Sequence, residues 1–125
     1  MIDRVRRIPG SDHPITLEKN PRRVRVSFNG AVVADTRNAI TLTEASYAPV
    51  QYIPREDVDM DLLQRSAHTT YCPYKGDASY FHLSASGTKS DNAIWTYETP
   101  FDAVSAIKEH VAFYPDRVQI SEEDA

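Results

Sequence analysis

Apolar and polar residues alternate most clearly in residues 23–28, where Val24, Val26 and Phe28 are separated by arginine and serine. Asn29-Gly30 follows, and a second apolar run covers residues 31–34. An Asn-Gly pair between two strands is preferred in a type I′ turn, because both central residues must adopt positive φ. The pattern therefore predicts a β-hairpin early in the chain.

Shorter apolar runs predict further strands in the rest of the chain. They cover residues 15–17, 39–42, 47–53, 79–84, 93–98, 111–114 and 117–120. We expect the strand at 47–53 to stop at Pro54, which has no N–H to donate. The strands at 79–84 and 93–98 are expected to form a hairpin across residues 86–88. Eight or so short strands predict a mainly antiparallel β protein.

Two segments have helical patterns. Residues 54–65 are expected to form one helical turn, because proline stands at the start and acidic residues follow in the first turn. Val58, Leu62 and Leu63 would then face the core. Residues 102–110 are expected to form an amphipathic helix, since Val104, Ile107 and Val111 fall at three- and four-residue spacing. The chain shows no linker or internal repeat, so we interpret residues 1–125 as a single domain.

Composition narrows the class of protein. An apolar share of 41% in 125 residues excludes intrinsic disorder, and no apolar run approaches the roughly 20 residues of a membrane-spanning helix. No apolar stretch follows the arginines of residues 1–10, so no secretory signal is predicted. A single cysteine, Cys72, excludes an internal disulfide and a multi-cysteine zinc site. We therefore expect a cytoplasmic protein that binds no membrane and carries no cofactor.

Charge is unevenly distributed. The formal net charge is −4, yet residues 1–25 contain seven basic and three acidic residues. Arg23 and Arg25 alternate with valines, which is typical of the solvated face of a half-buried strand. An anion site in this segment is the less favoured alternative, and no nucleic-acid partner is predicted. The acidic residues 122–124 are expected to form a frayed end.

Cys72 lies in the segment with the highest density of reactive side chains, residues 68–77. The neighbouring Lys75 could lower the pKa of the thiol and make it a nucleophile, with His68 or His82 as the base. Alternatively, Cys72 is a small buried residue at a strand end, or it contacts a ligand. The residues themselves leave these three alternatives open, with the structural one favoured.

Metal chemistry has less support in the sequence. The four histidines, 13, 68, 82 and 110, have no spacing typical of a zinc site. Asp57, Asp59 and Asp61 resemble the carboxylates that hold magnesium in nucleotidyl transfer. Acidic residues are also normal in a first helical turn, and only four glycines are present, with no phosphate-binding loop among them.

Aromatic residues are numerous in the central and C-terminal parts of the chain. They are Tyr47, Tyr52, Tyr71, Tyr74, Tyr80, Trp95, Tyr97, Phe113 and Tyr114. Trp95 and Tyr97 share a strand face, as do Tyr80 and His82. Such residues fill cores, and they also line ligand pockets.

Four segments together resemble the Domain of Unknown Function 427 family, whose members are small, mostly bacterial and fungal domains. The resemblance runs from about residue 13 to residue 120, with residues 1–12 and 121–125 peripheral to it. The segments are Tyr52-Ile-Pro-Arg-Glu-Asp57, Cys72-Pro-Tyr-Lys-Gly-Asp-Ala-Ser-Tyr80, Ala93-Ile-Trp-Thr-Tyr97 with Pro100, and His110-Val-Ala-Phe-Tyr114. One name for the family places it beside nucleotidyltransferases, which only the three aspartates at 57–61 support.

The resemblance implies a β-tent, in which two antiparallel sheets meet at one edge. It is a fold related to methionine sulfoxide reductase B and to the ligand-binding domain of cereblon. Those relatives hold the sheets together with zinc on two CxxC pairs, so a chain with Cys72 alone is expected to lack the metal. They bind small ligands between the sheets, and the matching segments make several residues pocket candidates: Tyr52, Cys72, Tyr74, Lys75, Trp95, Tyr97 and Tyr114.

Three functions follow as hypotheses. The first is a domain that binds a small polar or anionic ligand, with Trp95 and Tyr97 stacking on it and Lys75 and Arg55 supplying charge. The second is an enzyme that uses Cys72. The third is magnesium-dependent nucleotidyl transfer through the aspartates at 57–61. A homodimer is possible, because exposed sheet edges can pair between chains.

Overall fold

A computed structural model describes residues 4–124 of the chain. It contains ten β-strands within that range: β1 (Ile15–Asn20), β2 (Arg23–Phe28), β3 (Ala31–Thr36), β4 (Ala39–Glu44), β5 (Val50–Pro54), β6 (Leu63–Cys72), β7 (Gly76–Ala85), β8 (Thr88–Thr96), β9 (His110–Phe113) and β10 (Gln119–Glu123). Three 3₁₀ helices connect them: Arg55–Asp57, Met60–Leu62 and Asp102–Ile107.

The strands form two antiparallel sheets. The large sheet has the order β1-β4-β5-β9-β8-β7-β6, and the small sheet has the order β10-β2-β3. The predicted class is therefore confirmed: the protein is mainly β, with two antiparallel sheets and only short helices. None of the helices within residues 4–124 has the length and apolarity that crossing a bilayer requires.

The predicted hairpin of β2 and β3 is confirmed, and its turn has the backbone that the sequence requires. Asn29 has φ of 49° and Gly30 has φ of 82°, both in the left-handed region. Val24 and Val26 are fully buried, whereas Arg23 and Arg25 are half-buried on the other face. Asp35 on β3 forms ion pairs with both arginines, which accounts for the basic face of β2.

Two apolar cores lie on opposite faces of the large sheet. The first core lies between the sheets, where Val24 and Val33 of the small sheet pack with Ile53 and Ile94 of the large one. The second core lies on the other face and includes Tyr52, beside Ile53 in β5. Because side chains alternate along a strand, residues 52 and 53 are buried in different cores. The large sheet therefore has two buried faces in its centre.

The predicted helix at residues 102–110 is wrong in type and length. The chain forms a 3₁₀ helix over Asp102–Ile107, and Val104 interrupts it with non-helical angles of φ −127° and ψ 28°. Residue 110 already starts β9, so too few residues remain for a longer helix. Val104 and Ile107 are nevertheless fully buried in the second core, as their spacing predicts.

The segment at 54–65 also differs from its prediction. Two separate 3₁₀ turns form instead of one, and Leu63 already belongs to β6. Between the turns, Val58 is buried and forms an isolated bridge with Ala34 of β3. Asp59 caps the second turn by accepting a hydrogen bond from the N–H of Asp61 at 3.2 Å.

The strand prediction is wrong in several places, and β8 in particular begins at Thr88 rather than at residue 93. β5 begins at Val50 rather than at residue 47, because the chain turns at Ala45, which has φ of 48°. β6 was not predicted, since it is an edge strand whose residues are mostly exposed and do not alternate. β10 extends to Glu123 and pairs with β2, so Glu122 and Glu123 belong to a sheet and not to a frayed end.

β5 and β9 pair over only two positions. Ile53 lies opposite Val111, and Pro54 lies opposite His110. Beyond this point β5 continues beside β4 and β9 continues beside β8, so the two strands diverge. We call the resulting gap in the large sheet the fork; it is bounded by residues 50–52 on one side and 112–113 on the other.

Candidate functional site

A cavity of about 310 Å³ lies on the second-core face of the large sheet. We call it the aromatic cavity, because six of its eleven lining residues are aromatic. Four strands and four connecting segments contribute its walls: Leu42, Glu44, Tyr47, Ala48, Val50, Tyr52, Lys75, Tyr80, Trp95, Tyr97 and Tyr114. Its volume is at the lower end of the range for small-molecule sites, about 300–1,000 Å³.

Trp95 on β8 lies in the cavity wall. It lies opposite Ala112 on β9, and the small alanine leaves room for the indole to lie across the neighbouring strand. The indole Nε1 donates a hydrogen bond to the hydroxyl of Tyr52 on β5 at 3.1 Å. On the other side, the Tyr114 ring centre is 4.6 Å from that of the indole. The side chain thus joins β8 to β5 across the strand between them.

Lys75 is positioned by the tight turn between β6 and β7. Its N–H donates to the carbonyl of Cys72, and its carbonyl accepts from the N–H of Phe101. Gly76 follows with φ of 107°, and a Cβ there would lie 3.4 Å from the carbonyl oxygen of Thr99. Only glycine fits this conformation without strain. The turn directs Lys75 into the fold, where the residue is only 8% exposed.

The Lys75 ammonium forms an ion pair with Glu44, the last residue of β4. Lys75 donates to Oε1 of this carboxylate, while Nε2 of His13 lies 2.8 Å from Oε2. Burial tends to raise the pKa of Glu44, but the hydrogen bonds from Lys75 and His13 outweigh it and lower the pKa. Both carboxylate oxygens are therefore engaged, and the group stays ionised at neutral pH.

Tyrosine hydroxyls supply the remaining polar groups of the cavity. Burial raises the pKa of Tyr52 and of Tyr97 well above the ordinary value, and the hydrogen bond from Trp95 only partly offsets this for Tyr52. Burial and the neighbouring hydroxyl of Tyr80 raise the pKa of Tyr114 to about 12. These phenols remain protonated at neutral pH, so each offers an O–H donor.

Five of the seven predicted ligand-binding residues line the aromatic cavity: Tyr52, Lys75, Trp95, Tyr97 and Tyr114. Arg55 and Tyr74 lie outside it. Arg55 donates to Glu98 at 3.0 Å and to Thr96 at 3.2 Å. Tyr74 stacks on His13, with ring centres 4.0 Å apart, and so supports the residue that contacts Glu44.

Cys72, the predicted catalytic residue, is half-buried at the end of β6 and packs against the second core. The two proposed bases have other contacts. The His68 ring packs on Tyr80 at 4.6 Å, and Nδ1 of His82 accepts the N–H of Asn92 at 3.0 Å. Cys72, also expected in the pocket, does not line the aromatic cavity, and within residues 4–124 no histidine forms a hydrogen bond with it.

Two of the three aspartates proposed to hold magnesium have separate hydrogen-bond partners. Asp57 accepts a hydrogen bond from the hydroxyl of Thr36 at 2.7 Å, and Asp59 caps the second 3₁₀ turn. Across residues 4–124, no three His, Cys, Asp or Glu side chains form a group that could hold a metal ion. The arrangement of these aspartates therefore gives nucleotidyl transfer no support.

Sequence reasoning missed Glu44 as a site residue, together with the apolar walls at Leu42 and Val50. A signal for Glu44 does exist in the sequence. Glu44 follows Leu42 by two positions, so both side chains lie on the same face of β4, and Leu42 is only 2% exposed. A carboxylate next to a core position on one strand face indicates a buried charge that needs a cationic partner.

The fold and the cavity define a small antiparallel β domain with an aromatic site that contains one buried ion pair. Residues 16–124 match the family described as Domain of unknown function (DUF427), and the chain belongs to this family. The resemblance seen in the sequence is thereby confirmed. No curated protein matches the chain.

Proposed function

We propose that the protein binds a small planar molecule through the aromatic cavity, and that a carbonyl or carboxylate oxygen of this ligand accepts a hydrogen bond from Lys75. One observation supports this more than any other. A lysine that is 8% exposed is held by an ion pair on the wall of a cavity whose other walls are mainly aromatic. Lysine is almost never buried in this way unless it is paired.

The hydrogen-bonding capacity of the wall favours an acceptor ligand. An ammonium has three N–H donors, and Glu44 accepts one of them from Lys75. Both oxygens of Glu44 already have a partner, in Lys75 and His13, whereas two N–H donors of the ammonium remain for a ligand. Tyr97 and Tyr114 add protonated hydroxyls. The cavity therefore offers the ammonium and these hydroxyls as donors to an acceptor group of a ligand.

The aromatic walls favour a flat ligand body. Trp95 and Tyr52 lie edge to face, with ring centres 6.3 Å apart and planes at 88°. Together they offer a ligand ring the face of one aromatic side chain and the edge of the other. Lys75 Nζ lies 5.9 Å from the centre of the Tyr97 ring, so this ring already forms a cation–π contact with the ammonium. A cationic ligand would bring a second positive charge close to this ammonium, so we expect a neutral or anionic ligand.

Three small probes that each contain one phenyl ring test this proposal. Trp95 is the only tryptophan of the chain and lies in the cavity wall, so its fluorescence reports binding directly. We expect benzoate and benzamide to change the emission in a saturable way and to raise the melting temperature. Phenyltrimethylammonium should do neither. Binding of the cation alone would contradict the proposed donor role of Lys75.

Variants separate the role of Lys75 from general stability. The double variant Lys75→Met/Glu44→Leu removes both charges, and such replacements of a buried pair are often neutral for folding. It should keep a cooperative unfolding transition and lose benzoate binding at least tenfold. Lys108→Met, which removes an exposed lysine outside the cavity, is the matched control and should bind like the wild type.

A further inference from the structure

We infer that the ligand site continues through the fork between β5 and β9 into a second cavity between the two sheets. The ligand would then be an amphiphile, with a planar polar head in the aromatic cavity and an unbranched hydrocarbon chain in the second cavity. This inference rests on the proposed function for the position of the head. The apolar chain is the new element, and three features of the structure support it.

The first feature is the second cavity itself, which we call the inter-sheet cavity. It has a volume of about 340 Å³ and lies between the small sheet and the first-core face of the large sheet. Most of its lining residues are apolar: Val24, Val26, Ala48, Pro49, Val50, Gln51, Ile53, Trp95, Phe113, Pro115, Ile120 and Glu122. An apolar chain that enters it leaves water for a hydrocarbon-like surrounding.

The second feature is the connection between the two cavities. Ala48, Val50 and Trp95 line both of them, although the cavities lie on opposite faces of the large sheet. Val50 borders the fork, where it pairs only with β4 and Phe113 on the other side pairs only with β8. Within residues 4–124, backbone pairing of β5 with β9 stops at Ile53 and Val111, and the bond of Trp95 to Tyr52 bridges the strands next to that point. Beyond it, beside Val50, a chain can pass from one face to the other.

The third feature is the hydrogen bonding of the polar side chains around the inter-sheet cavity. Gln51 and Glu122 both accept hydrogen bonds from the side-chain amide of Asn20, at 3.0 Å and 2.7 Å. Asn20 itself is 7% exposed. One oxygen of each group is therefore already paired, and Glu122 is exposed, so its second oxygen can keep its contact with water when a hydrocarbon chain enters the cavity.

The sizes of the cavities agree with a two-part ligand. Each cavity alone is near the lower limit for small-molecule sites, whereas a continuous site would hold a molecule of ordinary drug size. The buried ion pair lies at one end of this path, whereas the charged residue that lines the other cavity, Glu122, is exposed. Lys75 and Glu44 line only the aromatic cavity, and the apolar side chains of Ile53, Phe113 and Ile120 line only the inter-sheet cavity.

A series of 4-alkylbenzoates, from methyl to hexyl, tests the inference through Trp95 fluorescence. Burial of each methylene should strengthen binding about fourfold until the inter-sheet cavity is filled. If the 4-alkylbenzoates bind with an affinity that does not change with the length of the alkyl chain, this inference is overturned and the proposed function stays intact. Binding only by the members with long alkyl chains would overturn the proposed function. It would still support binding of an apolar chain in the inter-sheet cavity. Failure of every member of the series to bind would overturn both.

Ile120 offers a variant that changes the inter-sheet cavity at an exposed position. It is 39% exposed on β10, so Ile120→Asp places a carboxylate at the cavity without disturbing a buried core position. We expect this variant to bind benzoate like the wild type and to bind 4-hexylbenzoate at least tenfold more weakly than the wild type does. Val32→Asp is the matched control, since Val32 is 51% exposed in the same sheet and does not line this cavity.

The same two variants test whether a second copy of the chain covers the inter-sheet cavity instead. Size-exclusion chromatography without ligand should give the same monomeric elution for the wild type, Ile120→Asp and Val32→Asp. A wild-type dimer that Ile120→Asp alone converts to a monomer would show that a partner chain occupies the cavity, and it would overturn the inference.

Discussion

The ammonium of Lys75 and the carboxylate of Glu44 form a mostly buried ion pair between residues 31 positions apart in the chain. The pair connects the turn between β6 and β7 to the end of β4. It lies on the wall of the aromatic cavity, where burial makes unpaired charges costly. Each charge therefore stabilises the fold only while its partner is present. The pair also fixes the position of the Lys75 ammonium in the cavity wall.

Removing one partner should destabilise the protein. Glu44→Gln leaves Lys75 charged and without its carboxylate, which costs up to about 3–5 kcal/mol for a fully buried pair. Both side chains keep slight exposure, 11% and 14%, so we expect a loss of about 2 kcal/mol. Urea denaturation at neutral pH measures it. Glu18→Gln, on the exposed side of β1, should change the free energy of unfolding by less than about 0.5 kcal/mol.

Glu98 should make stability depend on acidic pH. The hydrogen bond from Arg65 is the largest cause of a pKa lowered from 4.5 to about 2, and a hydrogen bond from Arg55 adds to it. Burial opposes both and tends to raise the pKa. Because the folded-state pKa is below the unfolded one, the contribution is fully present above about pH 4.5 and is lost as pH falls towards 2. Glu98→Gln should therefore be less stable than the wild type at neutral pH, and the difference should vanish near pH 2.

Urea denaturation of wild type and Glu98→Gln across this pH range measures that difference. Glu56→Gln, which changes an exposed carboxylate of the same region, is the control and should run parallel to the wild type. A stability difference between wild type and Glu98→Gln that stays constant from pH 6 to pH 2 would disagree with the lowered pKa.

The hydrogen bond between Trp95 and Tyr52 should contribute measurably to stability. Tyr52→Phe keeps the ring and removes the acceptor of the indole N–H, which should cost about 1 kcal/mol. Tyr47→Phe removes a hydroxyl from a tyrosine that is 66% exposed, and it should leave stability unchanged. Thermal unfolding of the two variants under identical conditions compares them. Equal melting temperatures would show that solvent replaces the bond without loss.

The thiol of Cys72 should react slowly in the folded protein. It is half-buried and packs against the second core, so a bulky disulfide reagent has limited access to it. We expect labelling by such a reagent at neutral pH to be slower than that of a model thiol, and to become fast in denaturant. Faster labelling than the model thiol in the native state would revive the hypothesis of a cysteine enzyme.

Much of the fold could be predicted because local signals agree with it. The Asn29-Gly30 turn and the alternating valines of β2 identify their hairpin from a few neighbouring residues. β6 gives no such signal, since an edge strand with few buried positions does not alternate. The helical pattern at 102–110 identified the buried face but not the 3₁₀ geometry, which follows from the few residues available before β9 begins.

The site was harder to predict than the fold, because it depends on contacts between distant segments. The family segments identified Lys75 and Trp95, yet nothing near Lys75 in sequence shows that its partner is Glu44. Arg55 stands in a family segment and has the right charge, but Glu98 holds it outside the cavity. The fork is likewise invisible in the sequence, since it results from where β5 and β9 stop pairing.

Titration of Trp95 fluorescence with benzoate, compared between the wild type and Lys75→Met/Glu44→Leu, tests the central claim most directly. We predict saturable binding to the wild type and at least a tenfold loss in the variant, with cooperative unfolding retained in both. Equal affinity of the two proteins for benzoate, or no saturable response from the folded wild type, would contradict the claim that Lys75 binds a ligand in the aromatic cavity.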